Sequence, residues 1–404
     1  MLRTITLEGF RCFETTMAID FGRLTVLAGV NNVGKSSVAQ ALMALMQSEQ
    51  QSTGNLLQLS GEWVQIGSFN QTVNYARSGS DRHFSIGIDG NDGTEDIDVV
   101  WRFVDAEDPT ADTAVIDRVD ALIGEQALTV RRSGGGYVLE RDGTEEQVTF
   151  SHPGLVGRMA GRHLLPCSFN GVLYLGAYRM PPQKLYAARR SWLGPLVGTT
   201  GEHTAEVLLK FRRSTVDILP AGTTEPMPHA SVLNAWWSHI FDRPFSLRVE
   251  AAQNLGFTLS LDTPSAENLG LGQVGLGLSQ VLPIVALALC SKPGDLVVVD
   301  SPEAHLHPGA QHRLMDLFVA LVRAGRQVVL ETHSDHLINA LRLAVKRGES
   351  DRGLRPEDVA IQFFGNGERG AAVERIPVDP HGRLEKWPVG FFDQAAQTLL
   401  EIIR

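Results

Sequence analysis

The residues best suited to chemistry stand in one short stretch, Gly29-Val30-Asn31-Asn32-Val33-Gly34-Lys35-Ser36-Ser37. A polyphosphate has to be wrapped by consecutive backbone N–H groups, and a turn of the form G-x-x-x-x-G-K-S exposes them at close range. At these offsets Lys35 can reach the β- and γ-phosphates, and the Ser36 hydroxyl can bind Mg²⁺. Gly29, Asn31, Asn32, Val33, Gly34 and Ser37 complete the loop as nucleotide-binding candidates. A glycine turn that merely caps a helix needs neither the lysine nor the hydroxyl, so the stretch implies a bound nucleoside triphosphate.

Other blocks could meet that ligand. Leu296-Val297-Val298-Val299-Asp300 reads as a buried strand ending in a carboxylate, which a Mg²⁺ site near a phosphate loop requires. Val274-Gly275-Leu276-Gly277-Leu278-Ser279-Gln280 reads as a glycine-rich turn opening the apolar helix Val281 to Cys290. Such a turn can offer an anion a hydroxyl, N–H groups and a positive dipole end, and a simple helix cap accounts for it equally well. Ser301-Pro302-Glu303-Ala304-His305-Leu306-His307-Pro308 comes after the acid, then a helix to about Ala324, a strand Gln327 to Glu331 and Thr332-His333-Ser334. Gln65 is a candidate for metal or water contact, against the commoner reading of a surface glutamine.

The elements that must position these residues can be read from periodicity. Arg3 to Phe10 and Leu24 to Ala28 read as strands and Ser37 to Leu45 as a helix, so the loop sits at a strand's carboxyl end, where α/β folds bind ligands. From about His83 to Phe150 the pattern has period two. Segments His83 to Ile88, Ile97 to Phe103, Leu128 to Arg131, Tyr137 to Glu140 and Gln147 to Phe150 predict an antiparallel meander. Leu173-Tyr174-Leu175 returns to a core strand and runs into Tyr178-Arg179-Met180-Pro181-Pro182. Helices are expected over Glu202 to Arg213 and Ser231 to Phe241, and short strands over Ser246 to Glu250 and Phe257 to Leu261. No sustained heptad is present, which excludes a long coiled-coil arm.

Composition narrows the class. At 404 residues and 43% hydrophobic content, the chain exceeds what one core usually holds, so a main domain with a lobe is expected. The longest apolar run, Val281 to Cys290, contains Pro283 and falls short of the ~20 residues a bilayer span requires. The N-terminus has no apolar signal region, and the cytoplasm is the expected compartment. Cys12, Cys167 and Cys290 lie far apart, which suggests buried thiols rather than disulfides or a zinc knuckle. A net charge of -10 argues against a surface devoted throughout to nucleic acid, though a local basic groove survives that balance.

Taken together and in this order, the blocks resemble the ABC-type ATPase heads of the SMC, RecF and OLD kind. The resemblance covers both ends of the ATPase and most of the chain after about Asn268; the middle third matches mainly by position. It extends to short bacterial AAA-family ATPases of the OLD-like branch without a Toprim nuclease domain. These carry V-G-x-G-x-S-Q, P-E-x-H-L-H-P and a G-F-F-D-Q ending, here Trp387-Pro388-Val389-Gly390-Phe391-Phe392-Asp393-Gln394.

That resemblance implies an α/β P-loop head with an antiparallel β lobe and a helical insert. The implied boundaries are 1–82 for the N-terminal part of the core, 83–170 for the lobe, 171–265 for a core strand and the insert, and 266–404 for the remaining motifs. In the family the heads pair face to face with each ATP between the phosphate loop of one and the signature serine of the other. By resemblance Ser279, with Gly275, Gly277 and Gln280, contacts the γ-phosphate in trans; Asp300 holds Mg²⁺, for which Ser36 and Gln65 are the candidates named above; His305 to Pro308 faces the partner; and His333 senses the γ-phosphate.

The implied function is an ATP-switched homodimer or higher even oligomer that hydrolyses ATP. Its implied setting is antiphage defence or DNA maintenance, through an effector protein or nucleic acid and without a membrane. An OLD-type nuclease is the rival enzyme, but only a short tail without a D-x-D pair comes after His333. A transporter's ATP-binding subunit is the rival from another class; the long β lobe and the lack of an L-S-G-G-Q run speak against it.

The sequence departs from the wider pattern at the hydrolytic carboxylate. Where the family strand ends in Asp-Glu-Pro, this one reads Asp300-Ser301-Pro302. A serine has no accessible basic form near neutral pH, so the next acid, Glu303, is the candidate for orienting the attacking water, with slow turnover expected. The alternative is that Glu303 holds its loop by hydrogen bonding. Three local readings stay open beside these. His305, His307 and His312 could hold zinc, and Lys184, Arg189, Arg190, Arg212 and Arg213 could touch nucleic acid rather than form solvated faces. His336 to Arg347 reads as ordinary core packing with a basic last turn.

Overall fold

The structure, a computed structural model, describes residues 1–51, 54–91, 95–106, 112–134, 136–141, 143–148, 171–189, 195–220, 226–253, 255–367, 370–386 and 401–402. Thr149, Phe150, Cys167, Arg190 and the ending Trp387 to Gln394 lie outside the described residues. The chain divides into two compact units: Met1–Phe21, Gly29–Asn170 and Gln362–Arg375 form the first, and Gly22–Ala28, Gly171–Ile361 and Ile376–Arg404 the second.

A nine-stranded antiparallel sheet dominates the first unit. Strand Leu2–Glu8 lies between Met17–Asp20 and Phe84–Asn91. From there Asp96–Asp105, Thr113–Ile123, Gln126–Ser133, Gly136–Arg141 and Thr144–Val148 run in chain order, the meander that the period-two pattern implies. Ile97, Val99, Trp101 and Phe103 are buried while Asp96 and Asp98 are exposed, so one pleat face forms the core. Phe84 packs edge-on with Phe10 (5.5 Å) and tilted against Phe103 (5.2 Å), and burying a ring of this kind contributes about 1.5–3 kcal/mol.

Helix Lys35–Gln51 packs on the short strand Leu56–Gln58. The Gln47 amide ties the helix to the chain beyond it: its Nε2 donates to Gln58 O at 2.7 Å and its Oε1 accepts from Val64 N at 3.2 Å.

In the second unit four parallel strands are ordered Val172–Leu175, Leu296–Asp300, Gln327–Glu331 and Leu24–Gly29, of which the unit holds the last as far as Ala28. Their near-continuous runs of Leu and Val are what a sheet buried on both faces requires. Helix Leu276–Cys290 is buried over Ser279 to Leu289, whereas Pro308–Arg323 and Asp335–Arg347 are amphipathic and bury one stripe each. Ser334 caps the last of these, its hydroxyl accepting Leu337 N at 3.2 Å, and Lys346 and Arg347 meet the negative end of its dipole. Helices Thr204–Phe211 and His229–Phe241, and an antiparallel sheet of Ser246–Ala251, Phe257–Thr263 and Ala266–Gly270, also belong to the unit.

Strands Met17–Asp20, Leu56–Gln58, Ala266–Gly270, Val359–Gly367 and Gly370–Ile376 have no counterpart in the sequence reading, and two further elements differ from it. Strand Thr113–Ile123 is not signalled by periodicity, because a register shift against its neighbour between Arg102 and Phe103 leaves Ala114, Val115 and Ile116 buried in succession. The apolar helix begins at Leu276 rather than Val281, with Gly275 as its N-cap.

Candidate functional site

The phosphate loop joins strand Leu24–Gly29 to helix Lys35–Gln51. Gly29, Asn32 and Gly34 take positive φ (136°, 62° and 97°) between residues of the ordinary hand, an alternation that turns backbone N–H groups toward a common concavity. A side chain at Gly34 would put its Cβ 2.4 Å from Cys12 Sγ and 2.8 Å from Phe13 Cζ, so the loop closes there only with glycine. Val30 N donates to Phe364 O at 3.2 Å and anchors the loop's first half. Lys35 is buried, its Nζ donating to Val30 O at 2.6 Å and Gly29 O at 3.3 Å.

Asn31, Asn32 and Ser36 are exposed, whereas Val33 and Ser37 are buried. Burial pushes the Cys12 thiol up, so it stands behind the loop as an uncharged group. The arrangement offers a cation and backbone donors to phosphate, and in Ser36 a hard oxygen of the kind Mg²⁺ takes. Gln65 is exposed, its backbone bridged to Ser60.

In the second unit, the carboxyl edge of the parallel sheet gathers the acids. Asp300 lies in register with Glu331, and Glu331 with Leu27, two residues before the loop begins at Gly29 in the sequence. Ser301 N donates to Glu331 O at 2.8 Å, and the Ser301 hydroxyl donates to Asp300 Oδ1 at 3.0 Å. Ser301 has φ 46°, a left-handed conformation that costs an L-residue roughly 1–2 kcal/mol. Burial pushes the Asp300 carboxyl up; its Ser301 hydrogen bond and the Arg179 guanidinium pull it down, the Glu303 charge adds to the rise and His333 opposes it.

Glu303 Oε1 accepts the backbone N–H of His333 at 2.7 Å, while its Oε2 is buried without a hydrogen-bond partner among the described residues. The loop-holding geometry is therefore present, and one carboxylate oxygen is left over. The His333 ring is at the surface.

No sequence motif gives a task to Arg179, which lies just beyond the edge strand Val172–Leu175. It is 4% exposed, and its guanidinium donates to Asp300 O at 2.7 Å and Ser301 O at 3.1 Å. Its Nε is buried with no partner among the described residues, a deficit worth about 1–3 kcal/mol. Burial pushes the group down to about 10, opposed by Asp300 and Glu303, and it keeps its proton at neutral pH. The neighbouring Tyr174 phenol is pushed up by burial and by the Asp300 and Glu331 charges. A residue that binds main-chain carbonyls leaves no motif; the one signal in the sequence is an arginine just past a core strand's carboxyl end.

The glycine-serine block occupies the start of helix Leu276–Cys290. Gly275 and Leu276 are exposed, but Ser279 lies inside the helix, 8% exposed, with its hydroxyl donating to Leu276 O at 2.8 Å. Its oxygen can still accept, while the proton is spent within the turn. A Cβ at Gly277 would come 2.6 Å from His305 O, so this glycine is what lets the helix start pack against the His305 loop. Gln280 is buried. His307 is the N-cap of Pro308–Arg323, its Nδ1 accepting Gly309 N at 3.2 Å, which gives that imidazole a structural task in place of zinc. Among the described residues no group of three or more His, Cys, Asp or Glu is arranged to hold a metal.

Of the basic residues, Arg189 donates to the Pro195 and Leu196 carbonyls, whereas Lys184, Arg212 and Arg213 are exposed. No described helix is long and apolar enough to cross a membrane.

Three family models match parts of the chain. Residues 1–101 match AAA_15, an AAA ATPase domain. Residues 232–339 match AAA_21, an AAA domain associated in its description with the AbiEii toxin of type IV TA systems. Residues 354–402 match DUF3696, a protein family of unknown function. Comparison with curated proteins finds no match.

Among solved structures, the chain is similar to an SMC head bound to the C-winged helix domain of ScpA, with 15% identity, a TM-score of 0.51 and coverage of 94% of this chain and 98% of that one. It is also similar to an SMC head domain with an extended coiled coil bound to the C-terminal domain of ScpA, derived from Pyrococcus furiosus. There the identity is 12%, the TM-score 0.51 and the coverage 100% and 99%. The SMC head domain from Thermotoga maritima aligns over 94% of this chain and 99% of its own at 14% identity and a TM-score of 0.44. At such identities the likeness speaks to architecture, and the architecture is that of a P-loop ATPase head of the ABC type with an antiparallel β lobe.

Proposed function

We propose that this chain binds and hydrolyses ATP with Mg²⁺ and acts as an ATP-switched dimer of the OLD-like branch. The observation that carries the reading is the carboxyl edge of the parallel sheet. There Asp300 lies in register with Glu331, and Glu331 with Leu27, while Glu303 binds the His333 N–H and buried Arg179 binds the Asp300 carbonyl. In this reading Lys35 and the loop N–H groups would take the β- and γ-phosphates, and Ser36, Asp300 and Gln65 are the oxygen donors that would serve Mg²⁺. When bound, Mg²⁺ would supply positive charge against the phosphates. Glu303 orients the attacking water, and His333, tied to Glu303 through its backbone, reports the γ-phosphate.

Pairing would bring the start of helix Leu276–Cys290 against the partner's nucleotide, with exposed Gly275 in front and half-buried Gly277 and buried Ser279 and Gln280 behind it. ATP shifts the equilibrium only by its differential affinity for the paired state, since a ligand that binds both states equally shifts nothing. SMC heads crystallised with ScpA domains suggest that an effector protein is the controlled party, and the AbiEii association of the AAA_21 description favours a defence setting. Nucleic acid is the alternative partner.

Light scattering of the intact protein with and without ATP and Mg²⁺ tests the reading. A mass increase with ATP that is absent in Lys35→Ala supports it. A mass unchanged by ATP in protein shown by calorimetry to bind it removes the switch.

A further inference from the structure

We infer that Arg179 is a positioning residue for the reaction, a clamp that holds the left-handed Asp300–Ser301 turn and thereby places the carboxylates of Asp300 and Glu303. The inference rests on the ATPase reading and adds a residue that no motif contains.

Three observations converge on it. The guanidinium binds two successive main-chain carbonyls, Asp300 O at 2.7 Å and Ser301 O at 3.1 Å, and so spans the peptide whose conformation is unusual. That peptide enters Ser301 at φ 46°, a region an L-residue leaves unless its surroundings hold it. The Ser301 N–H is also spent, on Glu331 O at 2.8 Å, so the turn is gripped from both neighbouring strands of the parallel sheet.

Arg179 is also the buried cation of this edge. Asp300 and Glu303 each interact electrostatically with it, and the two carboxylates repel each other. Its Nη1 and Nη2 each hold one of the two successive carbonyls, a fork that the planar guanidinium fixes in geometry. The departure from Asp-Glu-Pro then has a physical account. With serine directly after the aspartate, the next acid reaches the edge only if the chain doubles back, and the clamped left-handed turn is where it does so.

The test compares wild type, Arg179→Lys and Arg179→Met in the full chain, with two readouts: nucleotide affinity by calorimetry with and without Mg²⁺, and single-turnover hydrolysis. In Arg179→Met the Mg²⁺-dependent gain in affinity should fall about tenfold or more, as when an outer partner of a metal ligand is lost, while affinity without Mg²⁺ stays within about twofold. Hydrolysis should fall about 10²-fold, and Arg179→Lys should recover part of both losses.

An Arg179→Met protein with a lowered melting temperature but unchanged Mg²⁺ dependence would reduce Arg179 to a structural role and overturn the inference. If Arg179→Met does not fold, Arg179→Lys decides alone: wild-type Mg²⁺ dependence and hydrolysis rate overturn the clamp, and a partial loss in both supports it. Failure of wild type itself to bind nucleotide would instead overturn the ATPase reading, so the two failures are distinguishable.

Discussion

Glu303 Oε1 receives the His333 backbone N–H at 2.7 Å, which joins the acid after one parallel strand to the residue after the next. Holding the loop and orienting water are therefore compatible tasks for one carboxylate, since Oε2 remains without a partner among the described residues. Glutamine at this position keeps an acceptor for His333 and removes the charge. Glu303→Gln should retain nucleotide affinity within about twofold and lose about 10²- to 10⁴-fold in single-turnover hydrolysis, the range for a lost general base. Wild-type rates with intact binding would remove Glu303 from the mechanism.

The start of helix Leu276–Cys290, where Gly275 and Leu276 are exposed, is the surface that the proposed pairing would use. Ser279→Arg introduces a long cation where Ser279 is 8% exposed, so it should abolish the ATP-dependent mass increase. ATP binding by each protomer should persist, because the phosphate loop is untouched. Light scattering and calorimetry on the same sample separate the two, and pairing at wild-type ATP concentrations would contradict the assignment.

Ser301 makes a sharper demand on backbone than on side chain. At φ 46° valine clashes through its branched Cβ while glycine does not, so Ser301→Val should lose about 2 kcal/mol or more and Ser301→Gly should stay within about 1 kcal/mol of wild type. Denaturant midpoints for the pair check this. Equal losses would show that the hydroxyl's bond to Asp300, rather than the turn, sets the stability of the edge.

His229 supplies a pH dependence far from the candidate chemistry. It is buried, its Nε2 lies 3.4 Å from Cys290 Sγ, and burial pushes the imidazole down to about 4 and the thiol up to about 12. Between pH 6.5 and 4 the unfolded chain takes up a proton that the folded chain refuses, so folding stability falls as pH drops through that window. The full effect is about 3 kcal/mol by pH 4. His229→Leu should flatten that part of the acid limb in denaturant midpoints measured against pH, and an unchanged slope would assign the acid sensitivity to other groups.

How much of the fold and the site is legible in the sequence depends on where each residue spends its side chain. The phosphate loop can be read because Gly34 is forced by Cys12 and Phe13, and because lysine and serine at fixed offsets serve a ligand rather than the fold. The meander is visible in Asp96–Asp105, where buried positions alternate regularly, and invisible in Thr113–Ile123, where the bulged register breaks the alternation. The apolar helix starts at Leu276 rather than Val281 because Gly277, which reads as a breaker, is the helical residue that admits the His305 carbonyl. Arg179 and the hand of Ser301 act through main-chain atoms, and backbone conformation at a serine has no signature in residue type.

Lys35 points to a last consequence. Its ammonium donates to Val30 O and Gly29 O, so the loop by itself is already a closed electrostatic circuit. An incoming triphosphate trades places with those carbonyls, and its measured affinity reports only the difference between the two sets of oxygens. The loss on Lys35→Ala will therefore understate the strength of the lysine–phosphate contact by whatever the loop's own carbonyls were supplying. The freed carbonyls of Lys35→Ala also make the loop a poorer resting structure, so part of the deficit should appear as faster amide exchange around Gly29 and Val30 before any nucleotide is added.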